Sequence, residues 1–256
     1  MLPVDSPLTP WVLGAALVGL VAVLAYRAAR KDRREYQRFK RYHSTDRRQE
    51  MFRKWLRESF TWFGGAAVVI LVLVWQFIPR MLDQVETWPP TRAFRGFLTE
   101  GGGLLSGLII GAAIAFVVVI ALSVFLARDA EEVPTLGDIH ALLPRNRAEL
   151  KYGWGLSINA GVVEELLFRL ALPTLIFGVI GNALVAVVLS VLVFGALHAY
   201  QGVWGVVGSL LIGALLMLLF LATGSILWSI VAHALFDLRS LVLIPVVVYK
   251  AHRVGN

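Results

Sequence analysis

The sequence predicts an all-α, polytopic membrane helix bundle, and three observations predict it. Hydrophobic residues make up 58% of the 256 and charged residues only 16%, with a mean hydropathy of +0.73. A soluble domain is nearer half apolar and a quarter charged. The apolar residues fall in runs near the ~20 residues that a bilayer crossing takes. A dense basic cluster adjoins the first run.

The runs lie at roughly 10–26, 60–78, 104–126, 154–172, 182–201, 204–222 and 225–248. They predict about seven spans. PTLIFGVIG (173–181) adds an eighth if it belongs to an extra helix and not to a re-entrant turn; Pro173, Gly178 and Gly181 predict a break there. The first run is not a cleaved leader, because residues 1–9 hold no Lys or Arg and the basic cluster follows it. The positive-inside rule then places residues 27–59 in the cytoplasm and the N-terminus outside. Seven spans bring the C-terminus to the cytoplasm. Inside segments then hold nineteen Lys and Arg and outside segments three, Arg80, Arg92 and Arg95. Trp11, Tyr26, Trp75, Trp88, Trp154, Trp204, Trp228 and Tyr249 fall near predicted span ends, where interface anchors belong. This organisation divides the chain into N-terminal membrane segments with a basic loop (1–130) and a C-terminal membrane core (131–256).

The net charge of +7 does not point to nucleic acid, because it is concentrated: thirteen of 24 Lys and Arg lie from Arg27 to Arg57. A cluster beside a span fits anionic lipid headgroups. Tyr36, Phe39, Tyr42, Phe52, Trp55 and Leu56 are interleaved there. Two readings remain open for 27–57: an amphipathic helix on the membrane, or a solvated charged loop. The absence of cysteine excludes disulfides, thiolate catalysis and Cys-bound metal. Gly103, Gly107 and Gly111 share a helix face and predict close approach of a neighbouring helix. His43, His140 and His252 fall in loops or the tail and read as surface residues.

Three spans carry residues that a membrane core excludes. Glu164, Glu165 and Arg169 lie on one, Phe194 and His198 on the next, His233 and Asp237 on the last. A charge at a helix centre costs about 2.5–3.5 kcal/mol on insertion scales, so four unpaired charges would cost on the order of 10 kcal/mol. Glu165 and Arg169 are spaced i, i+4 and predict an ion pair. Glu164 is turned about 100° from Glu165 and stays free to meet another helix. His233 and Asp237 are also i, i+4. His198 has only Gln201 nearby on its own helix and requires a partner across the bundle or at the interface. Glu165 with Arg169 reads as structural glue; Glu164, His198, His233 and Asp237 read as a working set. Arg239 snorkels or caps the site edge. A carboxylate in a partly dry pocket suits general acid–base work and, with a histidine, activation of water. His and carboxylate are equally the ligand types of zinc, which leaves Glu164, His198 and His233 as metal ligands if a divalent ion binds. His-Glu-x-x-His and Gly-x-Ser-x-Gly are both missing. No membrane Gly-x-Gly-Asp pair occurs, and Gly155-Leu-Ser157-Ile lacks the second glycine of a rhomboid-type motif.

Glu-Glu-x-x-x-Arg (Glu164, Glu165, Arg169), Phe-x-x-x-His (Phe194, His198) and His-x-x-x-Asp (His233, Asp237), in order on three spans, resemble the CAAX protease and bacteriocin-processing family of intramembrane endopeptidases, often described as metalloproteases. The resemblance covers roughly 135–245, with Leu143-Pro144-Arg145 ahead of the first motif. It implies that Glu164 and His198 activate the attacking water and that His233 and residue 237 stabilise the oxyanion. Glu165, Arg169 and Phe194 then support the site. Position 237 is Asp where the prenyl endopeptidases carry Asn, and an ionised Asp has no proton to donate. The implied activity is hydrolysis of a peptide bond in a membrane-associated protein or peptide. Two other classes stay open. One is a non-catalytic immunity factor or scaffold of the same fold. The other is a proton-coupled transporter, which the lack of an inverted repeat disfavours. Nineteen arginines against five lysines suggest a GC-rich genome and a multi-pass protein of a prokaryotic cytoplasmic membrane.

Overall fold

The computed structural model describes residues 6–100, 102–128, 133 and 137–255, which form helices joined by short turns and no strand. Helix α1 runs Thr9–Phe39 and α2 runs Thr45–Val74. Two short amphipathic helices follow, α3 (Phe77–Glu86) and α4 (Pro89–Glu100). Helix α5 is Gly102–Leu126. Helix α6 spans 147–180 as one rod, and α7 (Ala183–Gln201), α8 (Val203–Thr223) and α9 (Ile226–Val247) complete the bundle.

Among the described residues, five helices are long and apolar enough to cross a membrane: α1, α2, α7, α8 and α9. Their outer faces carry apolar stripes at helical spacing, such as Leu211, Leu215 and Leu218, each more than 60% exposed. Patches of this kind are rare on soluble monomers and are what lipid covers. The chain is thus a multi-pass membrane protein. Helix α6 forms over the predicted span 154–172, but Glu164, Glu165 and Arg169 make it too charged to count by composition alone.

The predicted break at Pro173 and Gly178 does not occur. Residues Leu166–Ala171 widen into a π-helical segment just ahead of Pro173, and the helix continues to Ile180. A proline removes one backbone donor, and a local change of helical pitch is one way to accommodate it. The helix stops at Gly181, whose φ of 72° is one that glycine adopts at little cost. Stretch 173–181 is therefore neither an eighth span nor a re-entrant turn.

The basic stretch 27–57 is also not a solvated loop. Residues 27–39 prolong α1 and residues 45–58 open α2, so the two helices form a hairpin over one end of the bundle. Tyr36, Phe39 and Phe52 are buried there with Tyr152 of α6. Arg48 is fully buried at its centre. Its Nε donates to both Glu149 carboxylate oxygens (2.9 and 3.1 Å), and its two terminal nitrogens donate to the carbonyls of Ala141 and Leu143 (3.0 and 3.1 Å). Its guanidinium also lies 4.5 Å from the Phe39 ring centroid. Arg145 closes the seam by donating to the Tyr42 carbonyl at 3.2 Å. The Leu143-Pro144-Arg145 stretch is thus pinned to the hairpin. Asn146 caps α6 by accepting from the Glu149 N–H at 3.0 Å.

Among the described residues, the glycines that bring helices together do not include Gly107 or Gly111 of α5. A Cβ placed on Gly107 or Gly111 meets open space, and the surroundings of Gly103 lie outside the described residues. The close approach is instead on α6, where Gly153, Ser157 and Gly161 repeat every fourth residue. A Cβ on Gly161 would meet the Ile230 carbonyl at 2.9 Å and Ala234 Cβ at 3.0 Å, so α9 needs a glycine here. Arg239 neither snorkels nor caps the site edge: its Nε donates to Ser123 Oγ at 2.7 Å and ties α9 to α5. His43, His140 and His252 are exposed.

The buried Arg48–Glu149 pair yields a stability prediction. Arg48→Met strands a buried carboxylate and should cost about 3–5 kcal/mol, while the Arg48→Met/Glu149→Leu double variant recovers most of it. Thermal unfolding of the protein in detergent, followed by circular dichroism, measures both.

Candidate active site

The bundle encloses a cavity of about 330 Å³ lined by Glu164, His198, His233 and Asp237. The fold therefore brings the four members of the sequence-predicted working set to one space. His198 reaches the cavity because α7 ends its regular helix at Leu197, and His198 opens a tight turn, His198–Gln201, at the cavity wall.

Glu165 is the anchor. It is fully buried, and its Oε1 accepts from His233 Nδ1 at 2.7 Å. Its Oε2 lies 3.1 Å from Arg169 Nε, without the alignment of a hydrogen bond, so that contact is an ion pair held by charge. The predicted Glu165–Arg169 pair is present, and His233 joins it. Arg169 rests its guanidinium 4.3 Å from the Phe194 ring centroid. Phe194, itself buried, meets Phe168 edge-on at 5.3 Å, His198 at 4.9 Å and His233 at 6.3 Å. It is the wedge that sets both histidine rings. Gly213 of α8 makes room for it, since a Cβ there would meet the Phe194 ring at 2.7 Å.

Glu164 is different in kind. Its side chain is 29% exposed, makes no hydrogen bond among the described residues and lies 4.0 Å from His233 Nε2. Asp237, 27% exposed, lies 3.9 Å from the same nitrogen. Both gaps are too long for a direct hydrogen bond and suit one bridging water-sized group. His233 and Asp237, one helix turn apart, are therefore neighbours without a direct hydrogen bond. Two adjacent residues of one helix turn thus divide into a buried strut, Glu165, and a carboxylate without a hydrogen bond among the described residues, Glu164.

His198 finds its partner neither across the bundle nor at the interface. Its Nδ1 contacts the Phe194 carbonyl one turn earlier, at 2.9 Å. A carbonyl can only accept, so Nδ1 carries a proton, and Nε2 is the ring nitrogen left toward the cavity. Among the described residues no three His, Asp or Glu side chains gather as a ligand set for a metal. Each histidine spends Nδ1 on a protein group, which leaves Nε2 of His198 and of His233, with Glu164, as the groups that would hold a divalent ion if one binds.

Sequence reasoning missed the contribution of the N-terminal half. Arg27, Asp32, Tyr36, Ser59 and Phe63 line the cavity beside the motif residues. Four π-helical segments, Arg27–Asp32, Ser59–Gly64, Leu166–Ala171 and Arg239–Leu243, each place at least one residue on its wall. Such widened turns are frequent at functional sites, and nothing in residue type alone announces them. Tyr200 was missed too, although its place two residues after His198 was a signal.

Comparison with known families bears on this cavity. Residues 147–239 match the family model described as type II CAAX prenyl endopeptidase Rce1-like. No curated protein and no solved structure matches the chain. The family is one of membrane proteases, in agreement with the resemblance that the three motifs carry. The Rce1-like segment runs from the start of α6 to Arg239 in α9 and so contains Glu164, Glu165, Arg169, Phe194, His198, His233 and Asp237.

The two adjacent glutamates should separate by their roles. Glu165→Ala leaves Arg169 and His233 buried without their carboxylate and should cost about 3–5 kcal/mol. Glu164→Ala removes no hydrogen bond and should shift stability by less than about 0.5 kcal/mol. Unfolding midpoints of the two variants in the same detergent measure the difference.

Proposed function

We propose that the protein is an intramembrane endopeptidase that hydrolyses a peptide bond of a membrane-associated protein or peptide. The observation that carries this is a free carboxylate, Glu164, facing a cavity that also holds two histidines, each oriented through Nδ1. Glu164 acts as general base on a water held between it and His198, whose unprotonated Nε2 accepts the water's second hydrogen. The water oxygen attacks the scissile carbonyl carbon. His233, with Nδ1–H on Glu165 and Nε2–H turned to the cavity, donates to the carbonyl oxygen as it becomes negative. The carboxylates of Asp237 and Glu164 lie 3.9 and 4.0 Å from Nε2. Glu164 then returns its proton to the leaving amine, which closes the cycle. General acid–base catalysis of this kind contributes about 10²–10⁴-fold. No step runs through a metal.

The wider setting belongs to the same reading. The protein sits in a prokaryotic cytoplasmic membrane with about seven spans, its N-terminus outside and its C-terminus in the cytoplasm. Residues 131–256 form the protease core. The hairpin of residues 27–57 meets anionic lipid: Arg30, Arg33, Arg34, Arg38 and Arg41 border one groove on it, and none of these five has an ion pair among the described residues.

Glu164→Ala and His198→Ala should each lower cleavage by at least about 100-fold at normal protein level. Mass-spectrometric comparison of membrane peptides from cells making wild-type or variant protein reads this out. Unchanged peptide profiles in both variants would leave the non-catalytic scaffold as the better account.

A further inference from the structure

One phenol on the cavity wall has no part in the mechanism above. Tyr200 lines the cavity with Glu164, His198, His233 and Asp237. Its ring is clamped on two sides. It stacks beside the His198 imidazole, with centroids 6.2 Å apart and planes 27° from parallel. Tyr36 of α1 meets it edge-on at 5.3 Å. Gln201 Nε2 donates to the Tyr200 oxygen at 2.9 Å. This bond occupies a lone pair of the phenol and leaves its O–H proton without an acceptor among the described residues.

The chemistry of hydrolysis calls for such a proton. A tetrahedral oxyanion is stabilised by fixed donors, and loss of one donor costs about 10²–10³ in rate. Within the motif set His233 Nε2 is one donor. The residue flanking it is Asp237, which as a carboxylate can only accept. The side chain at 237 thus leaves the oxyanion one donor short, and a clamped tyrosine with an uncommitted hydroxyl proton lines the same cavity. A ring held by two neighbours needs no reorganisation as charge develops, which is the property a donor of this kind requires.

We propose that the Tyr200 hydroxyl is a second hydrogen-bond donor to the oxyanion and supplies the donation that Asp237 does not. The phenol stays protonated throughout; it polarises the carbonyl and transfers nothing. The proposal rests on the peptidase reading, and Tyr36 gives it a structural corollary: the hairpin of α1 and α2 reaches the reacting centre through the Tyr200 ring.

The test uses the full-length protein in native membranes, with the Glu164-dependent release of membrane peptides as the probe, quantified by mass spectrometry. Tyr200→Phe keeps both ring contacts, so its unfolding midpoint should match wild type while release slows about 100-fold. Asp237→Asn in the Tyr200→Phe background places an amide N–H beside His233 and should restore at least tenfold of the lost rate. Full release in Tyr200→Phe overturns the proposal. So does failure of Asp237→Asn to restore release, and so does a joint loss of fold and rate in Tyr200→Phe, which would make the residue structural. Undiminished release in Glu164→Ala is a separate outcome: it overturns the peptidase reading itself, and the oxyanion role falls with it.

Discussion

Glu165 sits fully buried between two cationic or protonatable groups, His233 on α9 at 2.7 Å and Arg169 on its own helix at 3.1 Å. A carboxylate inside a membrane bundle is tolerable only when paired, and this pairing does more than neutralise charge. It ties α6 to α9 at the level of the cavity and commits His233 Nδ1, so that Nε2 is the ring atom left for chemistry. It also parks Arg169 against Phe194, and Phe194 sets both histidine rings. Glu164, one residue earlier on the same helix, keeps its carboxylate free because Glu165 has absorbed the local demand for counter-charge.

The close contact of α6 with α9 is what makes that tie possible. Gly161 lets the Ile230 carbonyl come to where a side chain would stand, one turn before Glu165. In lipid, helix association draws on packing more than on exclusion of water, so a stripe of small residues and a buried ion pair work together. The four π-helical segments each place at least one residue on the cavity wall.

The N-terminal helices belong to the site in a way their composition conceals. A run of Arg and Lys beside a span reads as a lipid-facing surface, and five arginines border one groove on the hairpin. Yet Arg48 is the most deeply committed charge of the hairpin, bound to Glu149 and to the carbonyls of Ala141 and Leu143. Through it, and through Tyr36 against Tyr200, the hairpin fixes one wall of the cavity.

The sequence by itself determined the membrane class, the identity of the buried ionisable residues and the Glu165–Arg169 pair. Long apolar runs and i, i+4 spacing are local properties, and lipid imposes them on the chain directly. It also carried the three motifs that the match over residues 147–239 bears out as Rce1-like. Tertiary structure alone decided the rest. Which of two adjacent glutamates meets His233, which glycines touch a neighbour and which of the thirteen basic residues turns inward all depend on distances between helices far apart in the chain. The same holds for the unbroken course of α6 through Pro173, because a π-helical turn absorbs the lost backbone bond. One residue's type cannot report another helix's position, and it is the position of α9 against α6 that separates Glu165, the strut, from Glu164, the free carboxylate.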